Sequence, residues 1–410
     1  MTLITLYFAI SLFTFLVGLQ TLVFYPLSLV YAFRKQNEAL YKGKQPLVSI
    51  IVPAYNEASV ISNCVQSILN SDYTHFELIL VNDGSSDDTL AQMQQFADDG
   101  RVIVIDKPNG GKASALNAGL EVATGQVLFF VDADGVFRRD TIQVMLEGFR
   151  SSRVGAVCGN DSPVNLDRLQ TQLLSIQTHA TTGFVRRALA MMNCLPIVSG
   201  NIGAFRRDVL AKTGPFREGF IGEDLELTWR VHRAGYRVEF QPHAIVYAEV
   251  PSTLTALWKQ RVRWARGLLQ TAWIHRDMFF NPKFLPISLY LPFNFLAMAV
   301  VPIAQLATII LLITLIALGR SPLSLDGLTL MTWLGLGTAY FTSIFAIALD
   351  RAWRDLVYLY VIPLWVFYSV FINAVAFWAL VLELSGTTAV WNKLTRTGVV
   401  SRRDTSLETA

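Results

Sequence analysis

VLFFVDADG, residues 127–135, is the stretch whose reading decides the fold. Its first five residues are apolar and mostly β-branched or aromatic, the mark of a strand buried on both faces. The run then stops on two aspartates, Asp132 and Asp134, separated by one residue on a tight turn. A strand that is greasy along its length and acidic at its carboxyl end suits a parallel sheet that binds ligands at that edge.

Outward from this stretch the same arrangement recurs. VSIIV (48–52) runs into PAYNE, ELILV (77–81) into NDGSSDD, and VIVI (102–105) into DKPNGGK. Helical stretches lie between them at 57–70, 88–98 and 112–123, the second opening on the cap signals Ser85, Ser86 and Asp87. Alternating strands and helices predict an α/β domain with a mostly parallel sheet and helices packed on it. No GxGxxG follows the first strand and no GxxxxGK[ST] occurs, which disfavours a dinucleotide enzyme and a Walker-type NTPase. An isolated DxD reads as an Asp-rich turn. Placed after VLFFV, with NDGSSDD at another strand end, Asp132 and Asp134 read as hard oxygen ligands for Mg²⁺ or Mn²⁺.

The chain has 410 residues, 52% hydrophobic and 16% charged, too long for one domain and too apolar for a purely soluble one. Residues 3–33 carry no charge and exceed the roughly 20 residues a helix needs to cross a bilayer. Further apolar runs lie at about 285–319, 328–349 and 356–384. The resulting division is a membrane helix over 1–33, a polar domain over 34–274, an interfacial segment over 275–292, membrane helices over 293–384 and a polar basic tail over 385–410. Arg34, Lys35, Lys42 and Lys44 follow the first run, so the positive-inside rule puts the polar domain in the cytoplasm, beneath a plasma (inner) membrane crossed several times. One crossing before that domain and three after it leave the tail outside, whereas Lys393, Arg396, Arg402 and Arg403 argue for inside; the number of crossings stays open. Cys64, Cys158 and Cys194 have no CxxC spacing and read as core residues, and a net charge of +3 makes no case for a nucleic-acid partner. WKQRVRWARG (258–267) packs four cations and two tryptophans just before the membrane runs. It reads either as a collar on anionic lipid headgroups or as a site for an anionic leaving group and a flat, polar acceptor.

VPAYNE, VNDGSSDD, NGGKASALNAG, VDADG, SGNIGAFRRDVL, GEDLELTWRVHRAGY and QRVRW, in that order across 48–267, resemble glycosyltransferase family 2. With the flanking membrane runs the resemblance extends to the processive membrane synthases of β-glycans: cellulose, chitin, hyaluronan and poly-N-acetylglucosamine. The form of 215–270 and the few N-terminal crossings look most like the bacterial poly-β-1,6-N-acetylglucosamine synthases. The resemblance implies a GT-A-like nucleotide-sugar-binding domain, a UDP-sugar donor, a growing polysaccharide acceptor and contact with membrane lipid, and the thin channel that about four crossings can form calls for a small partner subunit or homo-oligomer. It places Tyr55, Glu57 and Asp83 at the uridine, and Lys112, beside Gly110 and Gly111, near the diphosphate. There the glycine N–H groups and the helix start favour an anion.

The family positions put Asp132 nearer the ribose and diphosphate and Asp134 on the metal. Asp224 is the implied general base, and the helix N-terminus it shares with Glu223 is expected to keep it ionised. Gln260, Arg263 and Trp264 form the QxxRW pattern, with a guanidinium for the diphosphate and an indole for the acceptor sugar. That leaves Arg261 and Arg266 as the lipid-facing collar, and SGNIGAF (199–205) as the acceptor border. A hyaluronan-, chitin- or cellulose-type synthase and a non-processive lipid glycosyltransferase remain as alternatives. From another class, an idle scaffold or a transporter is opposed by the full set of acidic positions.

Overall fold

The computed structural model describes residues 2–34 and 39–387; Lys35 and the tail cations from Lys393 onward lie outside the described residues. Eight strands form one sheet: β1 (Val48–Ala54), β2 (Phe76–Asp83), β3 (Val102–Lys107), β4 (Val127–Phe130), β5 (Val136–Phe137), β6 (Val154–Pro163), β7 (Gly203–Arg206) and β8 (Arg237–Ala248). Their order is β3-β2-β1-β4-β7-β6-β8-β5. β1 to β4 are mutually parallel, β7 runs against β4 and β6, β6 and β8 are parallel, and β5 opposes β8. The expected mostly parallel sheet is present, and the reversal at β7 is what the sequence pattern did not contain.

Alternation along the strands sends side chains to two cores. Ile50, Val52, Leu78, Leu80 and Phe129 pack under the helix Ile61–Leu69, while Ile51, Val81, Leu128 and Phe130 pack under the helices Lys112–Val122 and Glu223–Arg233. Burying each such side chain stabilises the fold by about 1.5–3 kcal/mol. The first helix starts four residues later than expected because Tyr55 to Val60 are spent on a loop, with Asn56 held at a φ of 56°.

Among the described residues, four helical segments are long and apolar enough to cross a membrane: Leu3–Phe33, Ile287–Ala317, Leu325–Asp350 and Trp353–Leu384. Of the segment 275–292, two short 3₁₀ turns occupy Arg276–Met278 and Pro282–Phe284, and residues from Ile287 onward open the second of these spans. The spans pack against the sheet domain. Tyr25 stacks 4.8 Å from Phe184, the Tyr31 hydroxyl donates to the Phe240 carbonyl, and Arg34 pairs with Glu239 at 2.7 Å.

Candidate functional site

The parallel strands β1, β2 and β4 end on the same edge, and their loops are stapled to each other. The Asn56 N–H donates to Ser85 Oγ (2.9 Å), the Ser86 N–H to Asn56 Oδ1 (2.7 Å) and the Glu57 N–H to Thr89 Oγ1 (2.7 Å). This joins PAYNE to NDGSSDD and holds Tyr55 and Glu57 half-buried beside β2. Asp83, at the end of β2, is buried. It accepts from Lys107 Nζ (2.7 Å) and from the N–H groups of Gly110 (3.0 Å) and Gly111 (2.8 Å). The glycine N–H groups expected to hold a phosphate therefore hold a carboxylate of the protein itself, and Asp83 fixes the loop that leads into Lys112.

Lys112, first residue of its helix, reaches Asp132 Oδ1 at 2.5 Å and Glu223 Oε1 at 3.4 Å. Burial works against its ammonium, but Asp132, Glu223 and Asp224 outweigh burial and hold its pKa above the ordinary lysine value. The antiparallel register Phe130↔Gly203 brings the loop before β7 to the end of β4, so Ser199 and Gly200 close the cleft beside Lys112, Asp132, Glu223 and Asp224. The small residues of SGNIGAF matter here: a Cβ on Gly200 would stand 2.8 Å from Lys112 Nζ and 3.4 Å from Asp224 Oδ2.

Asp224 lies in the first turn of the helix Glu223–Arg233, where its Oδ1 accepts from its neighbour's N–H (Leu225, 2.8 Å) and its Oδ2 from Gly200 N–H (3.2 Å). The helix start does not dominate as expected. Burial and the adjacent Glu223 push the Asp224 pKa up to about 6, against the pull of Lys112, the Leu225 N–H and Arg263. At neutral pH the group is still mostly ionised, yet close enough to take and return a proton.

The turn Asp132–Ala133–Asp134–Gly135 presents two carboxylates, and no group of three or more His, Cys, Asp or Glu arranged for a metal exists among the described residues. Both carboxylates are hard oxygen donors of the kind Mg²⁺ or Mn²⁺ takes, Asp132 lining the cleft and Asp134 buried. Cys64 lies beneath with its Sγ 3.8 Å from the Asp132 carbonyl. Burial, with Asp134, Asp132 and Glu57 nearby, raises its pKa, so it is a neutral thiol and not a ligand.

The helix Leu254–Ile274, capped by the Thr253 side chain, carries Gln260, Arg263 and Trp264. It passes the start of the Asp224 helix at glycine: a Cβ on Gly267 would meet the Ile221 carbonyl at 2.6 Å and Gly222 Cα at 3.3 Å. Gly222 itself holds a φ of 90°, which a side chain would strain. This close passage keeps Arg263 within electrostatic reach of Asp224. Trp264 is 49% exposed and stacked by Arg261, whose Cζ lies 4.3 Å from the ring centroid. The expected collar is corrected: Arg261 turns inward to Gln177 (3.5 Å), and Arg266 is buried, pairing with Glu383 and donating to the Thr387 carbonyl at 2.6 Å. A buried guanidinium needs such partners, and lipid headgroups do not reach it.

Lys112, Asp132, Glu223 and Asp224 thus share one cleft, with Arg263 close by, whereas Tyr55, Glu57 and Asp83 belong to the adjoining strand ends. Sequence reading missed Asp161, on β6 beside Ser199. Its signal was available in VGAVCGND (154–161), one more apolar run ending on a carboxylate.

Residues 49–214 match the family model described as Glycosyl transferase family 2. Poly-β-1,6-N-acetyl-D-glucosamine synthases of Staphylococcus aureus and Staphylococcus epidermidis are 31% identical over 246 residues, covering 60% of this chain and 59% of theirs. The match therefore spans less than two thirds of those relatives. Among solved structures, the mannosyltransferase PcManGT from Pyrobaculum calidifontis, in complex with GDP-Man and Mn²⁺, aligns with a TM-score of 0.67 and 25% identity over 94% of this chain and 100% of that one. By motif order, sheet topology and these matches, residues 49–214 are similar to glycosyltransferase family 2, and the sheet domain has a GT-A-like fold.

Proposed function

We propose that this chain is an inverting, membrane-embedded glycosyltransferase that polymerises a UDP-activated sugar, UDP-N-acetylglucosamine, into a β-linked polysaccharide and couples its synthesis to export. The observation that carries the reading is Asp224: a carboxylate with a pKa of about 6 at the floor of a cleft that also holds Lys112 and Asp132. In this reading the acceptor hydroxyl gives its proton to Asp224 while its oxygen attacks the anomeric carbon from the face opposite the nucleotide. The bond from that carbon to the diphosphate oxygen breaks and UDP leaves with the electron pair. Lys112 and Arg263 meet the developing negative charge, and Trp264 offers its ring to the acceptor. Tyr55, Glu57 and Asp83 border the nucleoside, and Glu223 and Gln260 position Lys112 and the acceptor. A Mg²⁺ or Mn²⁺ held by Asp132 and Asp134 would supply Lewis-acid help to the leaving diphosphate. The sheet domain faces the cytoplasm of a cell with this chain in its plasma membrane, and a small subunit or second copy completes the export path.

A second reading, transfer of a single sugar to a membrane lipid, is favoured by one feature. Ala265, Leu268 and Leu269 of the QxxRW helix border a wholly apolar groove with Phe295, Met298 and Leu380. The full chain, purified in detergent with Mg²⁺ or Mn²⁺, separates the two when given UDP-sugars one at a time. The synthase reading expects UDP release and a long product ladder from UDP-N-acetylglucosamine, both lost in Asp224→Asn. A product of one sugar on lipid establishes the second reading, and turnover unaffected by Asp224→Asn removes both.

A further inference from the structure

Three strand ends meet at the cleft, and the sequence motifs account for two of them. β7 runs antiparallel to β4 and β6 at once, with Gly203 opposite both Phe130 and Cys158. The residues just before β7 are therefore flanked on one side by the turn after Phe130 and on the other by the second half of β6, after Cys158. On the first side stands Asp132. On the second stands Asp161 of β6, whose partner on the far side is Val246 of β8.

Asp161 and Asp224 bracket one peptide. Ser199 Oγ donates to Asp161 Oδ2 at 3.3 Å, and the next N–H along the chain, that of Gly200, donates to Asp224 Oδ2 at 3.2 Å. The Cys158 thiol beneath them senses both carboxylates and is kept neutral, chiefly by burial. Asp161 is only partly satisfied where it stands. Arg186 Nη1 is 3.8 Å from Oδ2 and spends its hydrogen bonds on the Gly159 carbonyl and Cys158 Sγ, both at 3.2 Å. The Asn201 side chain, like Ser199, hydrogen-bonds the carboxyl. Oδ1 is buried and accepts no hydrogen bond, although the side chain as a whole is 22% open. A buried acceptor left unfilled is destabilising, and the broad torsion of an aspartate carboxyl lets either oxygen turn to a donor in the cleft. Glu226, by contrast, is closed by Arg230 at 2.8 Å and by His275 at 3.1 Å.

We infer that Asp161 is a specificity residue of the acceptor site, taking a hydrogen bond from a hydroxyl or acetamido N–H of the acceptor sugar across the Ser199–Gly200 peptide from Asp224. The inference rests on the reading of Asp224 as the base. Donor and acceptor are then held by different strands: β4 and the Lys112 loop serve the nucleotide, and β6 with the approach to β7 serves the sugar that attacks. Asp161 takes no proton in the transfer; it fixes the ring whose hydroxyl faces Asp224.

The test uses the full chain in detergent with Mn²⁺, UDP-N-acetylglucosamine and short β-1,6-linked N-acetylglucosamine oligomers as acceptor. Asp161→Asn and Asp161→Ala are compared with wild type for two readouts: UDP affinity and KM for the oligomer. The expected result is a KM for oligomer raised at least tenfold in Asp161→Ala and less in Asp161→Asn, with UDP affinity unchanged. An unchanged KM overturns the inference, and so does a parallel loss of UDP affinity, which would mark a purely structural role. Asp224→Asn, run alongside, is expected to lose transfer while keeping oligomer binding; if it keeps transfer, the base assignment falls whatever Asp161 does. A wild type that extends no oligomer with any UDP-sugar removes the synthase reading and this inference together.

Discussion

At the junction of the sheet domain with the membrane helices, His179 lies between Asp350 (2.6 Å) and Asp355 (2.8 Å), and Arg187 takes the other oxygen of Asp350 at 2.5 Å. At the sheet edge, Lys112 and Arg263 face three carboxylates, Asp132, Glu223 and Asp224. Both groups are largely buried, but the first balances two cations with two anions and the second does not. In the balanced group burial disfavours the imidazolium, yet Asp350 and Asp355 outweigh it and push the His179 pKa up to about 9. In the unbalanced group the strain falls on Asp224, whose own pKa rises. Buried charge that closes on itself holds structure, and buried charge left in surplus is open to a ligand that brings the missing sign.

The contrast breaks if the two groups respond alike to losing a charge. Asp224→Asn removes surplus charge, so we expect transfer to fall about 10²–10⁴-fold with thermal stability in detergent unchanged or raised. A clear drop in stability would place this carboxylate with the structural pairs. Asp350→Asn strands His179 and Arg187, and the expected cost is about 3–5 kcal/mol, read as a lower unfolding midpoint. The stability that protonated His179 lends is fully present below pH 6.5 and is lost as pH rises through about 9, so the midpoint of wild type should decline across that window and that of His179→Ala should not.

Two smaller effects sharpen the comparison. Gly267→Ala drives a Cβ against the Ile221 carbonyl, and overpacking of this kind costs about 1–3 kcal/mol. Because the QxxRW helix must then shift from Asp224, kcat should fall more than UDP affinity; equal loss of both would disconnect that helix from the chemistry. Smallest is a pH effect. Transfer by wild type should be half-maximal on its acid limb near pH 6, where Asp224 becomes protonated. Glu223→Gln removes a negative neighbour that raises the pKa, so the limb should move to lower pH, and a shift the other way would contradict the electrostatics.

The strands were legible because burial on both faces writes itself as unbroken apolar runs, and VLFFVDADG ends in the sheet where its reading put it. The reversal at β7 was not legible, since GAFR carries no mark of direction. Asp161 could be read as one more carboxylate ending an apolar run, but only the antiparallel register places it beside Ser199. The arginines of WKQRVRWARG show the other limit. Helical spacing separates Arg263 from Arg261 but leaves Arg266, three residues on, near its side, and whether a face meets lipid or protein depends on Gln177 and Glu383, far away in sequence. Asp224 was found from the motif, while its proton affinity required knowledge of its burial.

The helix Leu254–Ile274 has 21 residues and at 1.5 Å per residue is a rod of about 30 Å. One flank rests on the Asp224 helix at Gly222 and Gly267, and Arg266, the adjacent residue, is bolted to Glu383 at the end of the last span. Such a rod works as a lever with its fulcrum at the glycine contact. Any shift of the span that carries Glu383 would therefore pass along the rod to Arg263 and Trp264, less than a turn from Arg266.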